Sequence, residues 1–302
     1  MCIVRNKVLR GRVRNSSPLV MYEYKVHVVM IVVKNKRELK KLINQRIKEQ
    51  GPNCDLNDID VSRVKDMHGL FEDSIFNGDI SQWDVSSVEN MSHMFDGSHF
   101  NGDLSKWDVS RVENMNYMFS FSRFSGDISQ WNVSKVEDMS FMFADSSFNR
   151  DISKWDVSNV KDMSSMFIGS RFTGDISSWD VSKVKDMSFM FEDSMFEGDI
   201  SRWDVSSVKD MSFMFADSNF NNDISKWDVS NVENMTSMFR GSEFNGDISS
   251  WDVSSVEDMY GMFHESEFNG DISRWDVSSV EDTRDMFYNS PLEGREPEWY
   301  KK

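Results

Sequence analysis

All ten tryptophans of the 302-residue chain lie 24 residues apart, from Trp83 to Trp299. A fixed interval of this length indicates tandem structural repeats, each too small to bury its apolar face alone. Counted from the leading phenylalanine, nine full repeats occupy residues 76–291, a degenerate unit at 52–75 precedes them and a truncated unit follows. The end units of a stacked array must shield its open faces from water. The sequence therefore predicts a solenoid that covers residues 52–302.

Each repeat combines two apolar spacings. The segment Ser-x-Trp-Asp-Val-Ser alternates polar and apolar residues, which predicts a short strand with Trp227 and Val229 facing the core. The segment from Met235 to Phe239 places apolar residues at i, i+3 and i+4, which predicts a short helical turn with Asn234 as its N-cap. We expect an α/β repeat solenoid with one short parallel strand and one short helical turn in each 24-residue coil.

The first 51 residues differ from the repeats. The apolar run 28–33 predicts a strand, and Asn35-Lys-Arg-Glu38 fits a capping box for a helix that ends at Gly51. We expect residues 21–51 to form a strand–helix cap over the open end of the solenoid. Residues 1–20 are basic and are predicted to be unstructured.

The charge of the chain is divided unevenly. The formal net charge is −17, but residues 1–51 carry 13 basic and 3 acidic residues, whereas residues 52–302 carry 21 and 48. An acidic body repels phosphate, which argues against nucleic acid as a partner. No apolar stretch reaches the about 18 residues that a membrane span requires. The lack of an export signal predicts a cytoplasmic protein.

Patterns typical of catalysis and cofactor binding are missing from the sequence. The five histidines occupy unrelated repeat positions, and there is no nucleophile–base pattern and no Gly-rich phosphate loop. We therefore expect no enzymatic activity, no cofactor and no metal site. The aspartate of the Asn-Gly-Asp turns, from Asp79 to Asp271, leaves two interpretations open, which are calcium binding and hydrogen bonding to turn amides.

One column of carboxylates points away from the predicted core. The residue after each tryptophan is aspartate in eight of the nine full repeats, and Asn132 is the exception. Two interpretations stay open: a structural role with the basic residues that stand two positions earlier in five repeats, or a stripe that binds a basic protein partner. We call these residues the aspartate ladder: Asp84, Asp108, Asp156, Asp180, Asp204, Asp228, Asp252 and Asp276.

A second candidate surface lies between the two core methionines of each repeat. On a helical turn this position is about 200° from the first methionine, so its side chain is expected to face solvent and to mark an interaction surface. The alternative is that neighbouring coils cover the rings. The aromatic column comprises His93, Tyr117, Phe141, Phe189 and Phe213, with Ser165, Ser237 and Gly261 at the same position in other repeats.

The repeat motif carries a family resemblance. The pattern F-N-G-D-I-S-x-W-D-V-S-x-V-x-D-M-S-x-M-F resembles the repeat of the BspA-like leucine-rich-repeat surface proteins, especially the mycoplasma-type lipoprotein variant, over about residues 52–302. The usual asparagine of the leucine-rich repeat is replaced by valine, as at Val232. The resemblance implies a leucine-rich-repeat-like scaffold for adhesion or protein binding, and it implies the cell surface as an alternative compartment.

Two functions follow as expectations. The first is a non-enzymatic solenoid scaffold that binds a protein partner or mediates adhesion. The surface of the partner is expected to be basic where it contacts the acidic surface of the solenoid. The alternative is a structural or self-associating component of a virion or cell surface.

Overall fold

The computed structural model describes residues 2–11 and 22–300, with side chains from residue 29 onward. It begins with a three-stranded sheet. Strand β1 (Cys2–Gly11) pairs antiparallel with β2 (Tyr22–Val32), and the end of β2 pairs in parallel with β3 (Ile59–Asp60). The sheet therefore joins the N-terminal segment to the first, degenerate unit of the array.

Strand β1 differs from the expectation for residues 1–20, which the sequence predicts to be unstructured. The segment contains several β-branched residues, which favour a strand once β2 offers a partner along its whole length. Residues 12–20 lie outside the described residues, so the prediction for them is not addressed by the structure.

Helix α1 (Lys36–Gln50) follows β2, as the capping box predicts. The Asn35 side chain accepts a hydrogen bond from the Glu38 backbone N–H at 3.0 Å. The Glu38 carboxylate accepts from the Lys34 backbone N–H, also at 3.0 Å, so the box closes one residue earlier than expected. The helix ends at Gly51, which adopts φ 89° and donates to the Ile47 carbonyl. The helix buries Leu39 and Ile43.

Each 24-residue coil is built from a succession of β-turns. Each turn is closed by a hydrogen bond from a backbone N–H to the carbonyl three residues earlier, at 2.9–3.3 Å in the coil around Trp83. Three of these turns have apolar residues at both ends, and their side chains are buried in the core. The five closing pairs of that coil are Trp83 to Ile80, Val88 to Val85, Met94 to Met91, Asp96 to His93 and Ser98 to Phe95.

Neighbouring coils are joined by parallel backbone hydrogen bonds after the second valine of each repeat. The N–H groups of Met91, His93 and Phe95 donate to carbonyls of the next coil at 2.8–3.0 Å. The repeated bridge lies at the residue before the first methionine, as between Asn90 and Asn114. Successive coils therefore stack in register, which makes the chain a repeat solenoid.

The internal structure of the coil differs from the predicted strand plus helical turn. In the described repeats, the Trp-Asp-Val segment lies between two turns and forms a strand only in the degenerate unit, where β2 pairs with β3. The Met-x-x-Met-Phe segment is not helical, because the residue directly before the second methionine has a left-handed backbone, as at Ser237 with φ 52°. Asn234 is not a helix N-cap; its side chain accepts from the Thr236 backbone N–H at 2.9 Å. Two apolar residues that are three positions apart lie on the same side of a β-turn as well as of a helix.

The core is a set of apolar columns that run through the array. In the coil around Trp179, the side chains at the core positions are at most 3% exposed: Phe172, Ile176, Trp179, Val181, Val184, Met187, Met190 and Phe191. The indole Nε1 of each tryptophan donates to a backbone carbonyl in the preceding coil at 3.0–3.2 Å, from Trp83 to Trp299. Side-chain burial and hydrogen bonding therefore both join one coil to the next. None of the described helices has the length and apolar character to cross a bilayer.

Candidate functional site

The aspartate ladder lies on the surface, and every one of its side chains is exposed. Each carboxylate also closes a local turn. The Oδ1 atom of Asp180 accepts from the Ser182 backbone N–H at 3.1 Å and from the Ser182 hydroxyl at 2.6 Å. The same backbone bond recurs from Asp84 to Asp276. These turns fix the position of one carboxylate in each of eight coils.

The turn does not depend on the negative charge. Asn132 occupies the ladder position in one repeat, and its Oδ1 accepts from the Ser134 backbone N–H at 3.1 Å and from the Ser134 hydroxyl at 2.7 Å. An amide therefore makes the same two hydrogen bonds as a carboxylate. The charge of the other eight residues exceeds what the local structure requires.

Within the part of the chain whose side chains are described, the ladder charge is not paired with basic side chains. Among residues 29–300, no ion pair within 4.0 Å joins a ladder aspartate to a lysine, arginine or histidine. Elsewhere on the surface such pairs form between coils: Lys161 lies 2.7 Å from Glu137, and Lys209 lies 2.7 Å from Glu233. The geometry thus disfavours the expected bridging by basic neighbours within the ladder.

Hydrogen bonding keeps several ladder residues ionised. The Ser182 hydroxyl and then the Ser182 amide lower the pKa of Asp180, and Ser110 does the same for Asp108. The pKa values of Asp252 and Asp276 are lowered by the same kind of contact. In these four coils the serine contacts therefore both position the carboxylate and favour its charged form.

The aspartates of the Asn-Gly-Asp turns form a second exposed carboxylate column. Asp175 accepts from the Ser177 backbone N–H at 2.9 Å, and Asp199 and Asp223 make the equivalent bond to their own serines. Hydrogen bonding to turn amides, one of the two interpretations of this column, is thus confirmed. Because these residues share the turn type and the coils of the ladder, they provide matched controls for it.

The aromatic column lies on the surface, but its rings are not solvent-facing as expected. Tyr117, Phe141, Phe189 and Phe213 are half-buried, because the rings stack on one another. Ring centroids are 4.3 Å apart between Tyr117 and Phe141 and 4.6 Å apart between Phe189 and Phe213. The expectation failed because it assumed a helical turn. In the β-turn, the ring stacks on the ring of the neighbouring coil, as the alternative interpretation predicts.

The backbone of the aromatic column is left-handed, with φ 55° at Tyr117, 56° at Phe141, 59° at Phe189 and 57° at Phe213. This region costs a bulky residue roughly 1–2 kcal/mol, and glycine is the residue that avoids the cost. Gly261 holds the same position with φ 60°. The rings are therefore kept at a position where glycine is less strained.

The aromatic column is coupled in size to the residue three positions later. Phe141 is followed by Ala144, and Phe213 by Ala216, and both alanines are at most 1% exposed. Where the column carries a small residue, the later position is large, as in the Ser165–Ile168 pair, and the serine is only 2% exposed. In these coils one of the two side chains is large, whereas Phe189 is followed by Glu192, which is also large. Sequence reasoning missed this pairing, although the inverse sizes of two columns three residues apart are visible in the sequence.

Among residues 29–300, the most exposed apolar side chains lie outside the predicted surfaces. Phe121 is 64% exposed, and Met195 and Ile75 are each 58% exposed. They occupy different coils and two different repeat positions, so they do not form a column.

The fold and surfaces define a class of protein: a solenoid of stacked β-turn coils whose polar columns repeat along its surface. The chain belongs to the family described as Mycoplasma protein of unknown function, DUF285, whose family model matches residues 38–147, 121–219 and 194–296. The overlapping matches extend across the helix α1 and the repeat array. No curated protein and no solved structure matches the chain.

Proposed function

We propose that the protein is a non-enzymatic scaffold that binds a basic protein partner through the aspartate ladder. The observation that carries this proposal is the contrast between Asn132 and the other ladder positions. The amide at Asn132 makes the complete turn, so the eight carboxylates supply charge that the fold does not use. Like charges placed one coil apart repel each other, and a cationic partner would relieve that repulsion.

The arrangement suits a partner with lysine or arginine side chains spread along an extended surface. Each ladder carboxylate is exposed and held in place by its serine, so little side-chain freedom is lost on binding. A row of fixed carboxylates accelerates the encounter with a basic surface and gives a salt-dependent affinity. Such recognition needs no catalytic group, and it suits carboxylates that recur along the array and form no singular catalytic pair.

The resemblance to BspA-like surface proteins supports a leucine-rich-repeat-like scaffold with a role in adhesion at a cell surface. The charge division of the chain favours a second candidate, a structural or self-associating protein. Residues 1–51 carry 13 basic residues and could meet the acidic array of another copy. Light scattering over a range of concentrations separates the two, because self-association grows with concentration and a monomeric scaffold keeps one size.

The test of partner binding compares two triple variants that remove the same charge from the same coils. The ladder variant is Asp180→Asn, Asp204→Asn and Asp228→Asn. The control variant is Asp175→Asn, Asp199→Asn and Asp223→Asn, at the aspartate position of the Asn-Gly-Asp turns, which read Thr-Gly-Asp, Glu-Gly-Asp and Asn-Asn-Asp in these coils. The probe is a synthetic lysine- and arginine-rich peptide, whose affinity is measured at several salt concentrations.

We expect the ladder variant to bind the peptide more weakly and with a smaller salt dependence than the control variant. Both variants should melt within a few degrees of the parent, because asparagine preserves the turn. Equal losses in the two variants would mean that only the overall negative charge attracts the peptide, and the proposal would then be wrong.

A further inference from the structure

A cluster of three metal-ligating side chains lies at the N-terminal end of the array, away from the aspartate ladder. The Nδ1 atom of His93 is 3.0 Å from the Oδ2 atom of Asp96. The His93 ring stacks on Tyr117, with centroids 4.4 Å apart and planes 7° from parallel. The side chains are 36% and 19% exposed. Stacking therefore fixes the ring with one nitrogen directed at a carboxylate.

The third side chain comes from the preceding coil. Glu72 folds over Gly69, and a Cβ atom at residue 69 would lie 2.8 Å from the Glu72 Oε2 atom. Gly69 occupies the same repeat position as His93, one coil earlier, so its missing side chain makes room for the carboxylate beside the imidazole. Backbone bonds from Gly69 to Ser92 and from Phe71 to Met94, each 2.9 Å, hold the two coils in register.

The resulting arrangement is singular in a repetitive surface. Ligand atoms of Glu72, His93 and Asp96 all lie within 4.8 Å of one another, and among the described residues no other group of three meets that condition. The position of Glu72 and Asp96 carries other residues in the next coils. These are Ser120, Ala144, Ile168, Glu192, Ala216, Arg240, His264 and Tyr288.

We propose that Glu72, His93 and Asp96 bind a divalent transition-metal ion, with Zn²⁺ as the best-matched ion. One imidazole nitrogen and two carboxylate oxygens are ligands that Zn²⁺ accepts, and three protein ligands leave a position for water. The Glu72 side chain is exposed, so it can shift toward the other two ligands when an ion binds. The site extends the function of the protein beyond the ladder, and it does not depend on the proposal for that surface.

The bound ion would fasten the degenerate unit to the first full repeat. Helix α1 already contacts this place, because the Lys40 amine donates to the Gly69 carbonyl at 3.1 Å and to the Leu70 carbonyl at 2.5 Å. Lys40 and Lys36 also interact electrostatically with Glu72, but among the described residues neither forms an ion pair with it within 4.0 Å. Metal binding would thus stabilise the end of the array against opening.

The test titrates Zn²⁺ into the full chain by calorimetry, with ZnCl₂ as the only added ligand. We expect one ion per chain at micromolar concentration and a melting temperature that rises with Zn²⁺ and returns with EDTA. Glu72→Gln and His93→Gln should each weaken binding more than about tenfold, since even groups that only support a ligand cost that much. Asp96→Ser, which copies Ser120, should do the same.

His264→Gln is the matched control. His264 also lies on this face and stacks on Tyr288, with centroids 4.9 Å apart, but it belongs to no such group. Its variant should bind Zn²⁺ as the parent does. Because Glu72 is exposed, Glu72→Gln is expected to fold even if His93→Gln does not. The proposal is wrong if the parent binds no Zn²⁺, or if Glu72→Gln binds it as tightly as the parent.

Discussion

The indole Nε1 of Trp179 donates a hydrogen bond to the carbonyl oxygen of Ile152 in the preceding coil, at 3.2 Å. The same bond recurs along the tryptophan column, and the ring itself is 3% exposed. A tryptophan in this array therefore contributes both buried area and a polar link between coils.

Replacing Trp179 by alanine should lower the free energy of unfolding by roughly 3–5 kcal/mol, because it leaves a cavity and removes one of the two hydrogen bonds that the Ile152 carbonyl accepts, the other coming from the Trp155 backbone N–H. Trp179→Phe should cost less, since it keeps most of the ring and loses only the hydrogen bond and some volume. Urea denaturation followed by circular dichroism measures both. Equal costs for the two variants would show that the hydrogen bond, not the volume, dominates.

The turn at Asp180 should distinguish alanine from asparagine. Asp180→Ala removes the acceptor for the Ser182 amide and hydroxyl and should cost about 0.5–1.5 kcal/mol of stability. Asp180→Asn should be nearly neutral, because Asn132 makes the same turn. The comparison is made by thermal denaturation. A loss in Asp180→Asn as large as that in Asp180→Ala would mean that the turn needs the charge.

The Asn-Gly-Asp column should give the protein an acid-sensitive stability. Contacts to the following serines lower the pKa values of Asp175, Asp199 and Asp223 below the ordinary value of 3.8. A lowered folded-state pKa stabilises the fold above about pH 3.8, and that contribution is lost as the pH falls through the folded-state value. In the triple asparagine variant at these positions, the decline of melting temperature between about pH 4 and 2 should be shallower than in the parent. If the melting temperature of the variant declined as steeply with falling pH as that of the parent, these residues would be excluded as the cause of the acid sensitivity.

Asp162 should behave in the opposite direction. Burial, followed by the neighbouring Asp186 and Asp138, raises its pKa despite hydrogen bonds from Ser164. Ionised Asp162 therefore opposes folding at neutral pH, and the opposition is relieved as the pH falls through its raised pKa. Asp162→Asn should raise stability at pH 7 by roughly 0.2–1 kcal/mol. Asn114 and Asn234 hold the same repeat position. Chemical denaturation at pH 7 and at pH 4 should show the gain shrinking at the lower pH.

The size coupling on the aromatic face predicts a rescue. Phe141→Ser uncovers Ala144 and should cost about 1–3 kcal/mol through lost apolar burial. Adding Ala144→Ile rebuilds the pair seen at Ser165 and Ile168, and should recover most of the loss. The midpoint of urea denaturation reports both. A double variant no more stable than Phe141→Ser would show that the two columns do not cover one another.

The residues that form the core could be predicted from the sequence, because the 24-residue interval and the apolar spacing fix which side chains point inward. Asn35 and Glu38 likewise predicted the start of α1. The path of the backbone within a coil could not be predicted, because Met235 and Met238 are spaced three apart in a β-turn and in a helix alike. The deciding fact is the left-handed backbone between them, and phenylalanine or tyrosine gives no sign of it.

The candidate surfaces were predicted unevenly for the same reason. The outward direction of Asp180 follows from alternation with Trp179, and the structure exposes it. The position of Phe141 depended on the helical angle and was therefore wrong. The grouping of Glu72, His93 and Asp96 depends on side chains of two coils meeting across a glycine, and no spacing within a single repeat indicates it.

The left-handed position between the methionines has a consequence for how such arrays diversify. Its φ stays between 52° and 60° in ten coils, although its occupant ranges from Gly69 to Phe189 and Asp285. Hydrogen bonds between coils set this backbone, so the identity of the side chain is free to change. Residues at this position can thus be replaced one coil at a time in the course of evolution, while the residues of the buried columns stay the same.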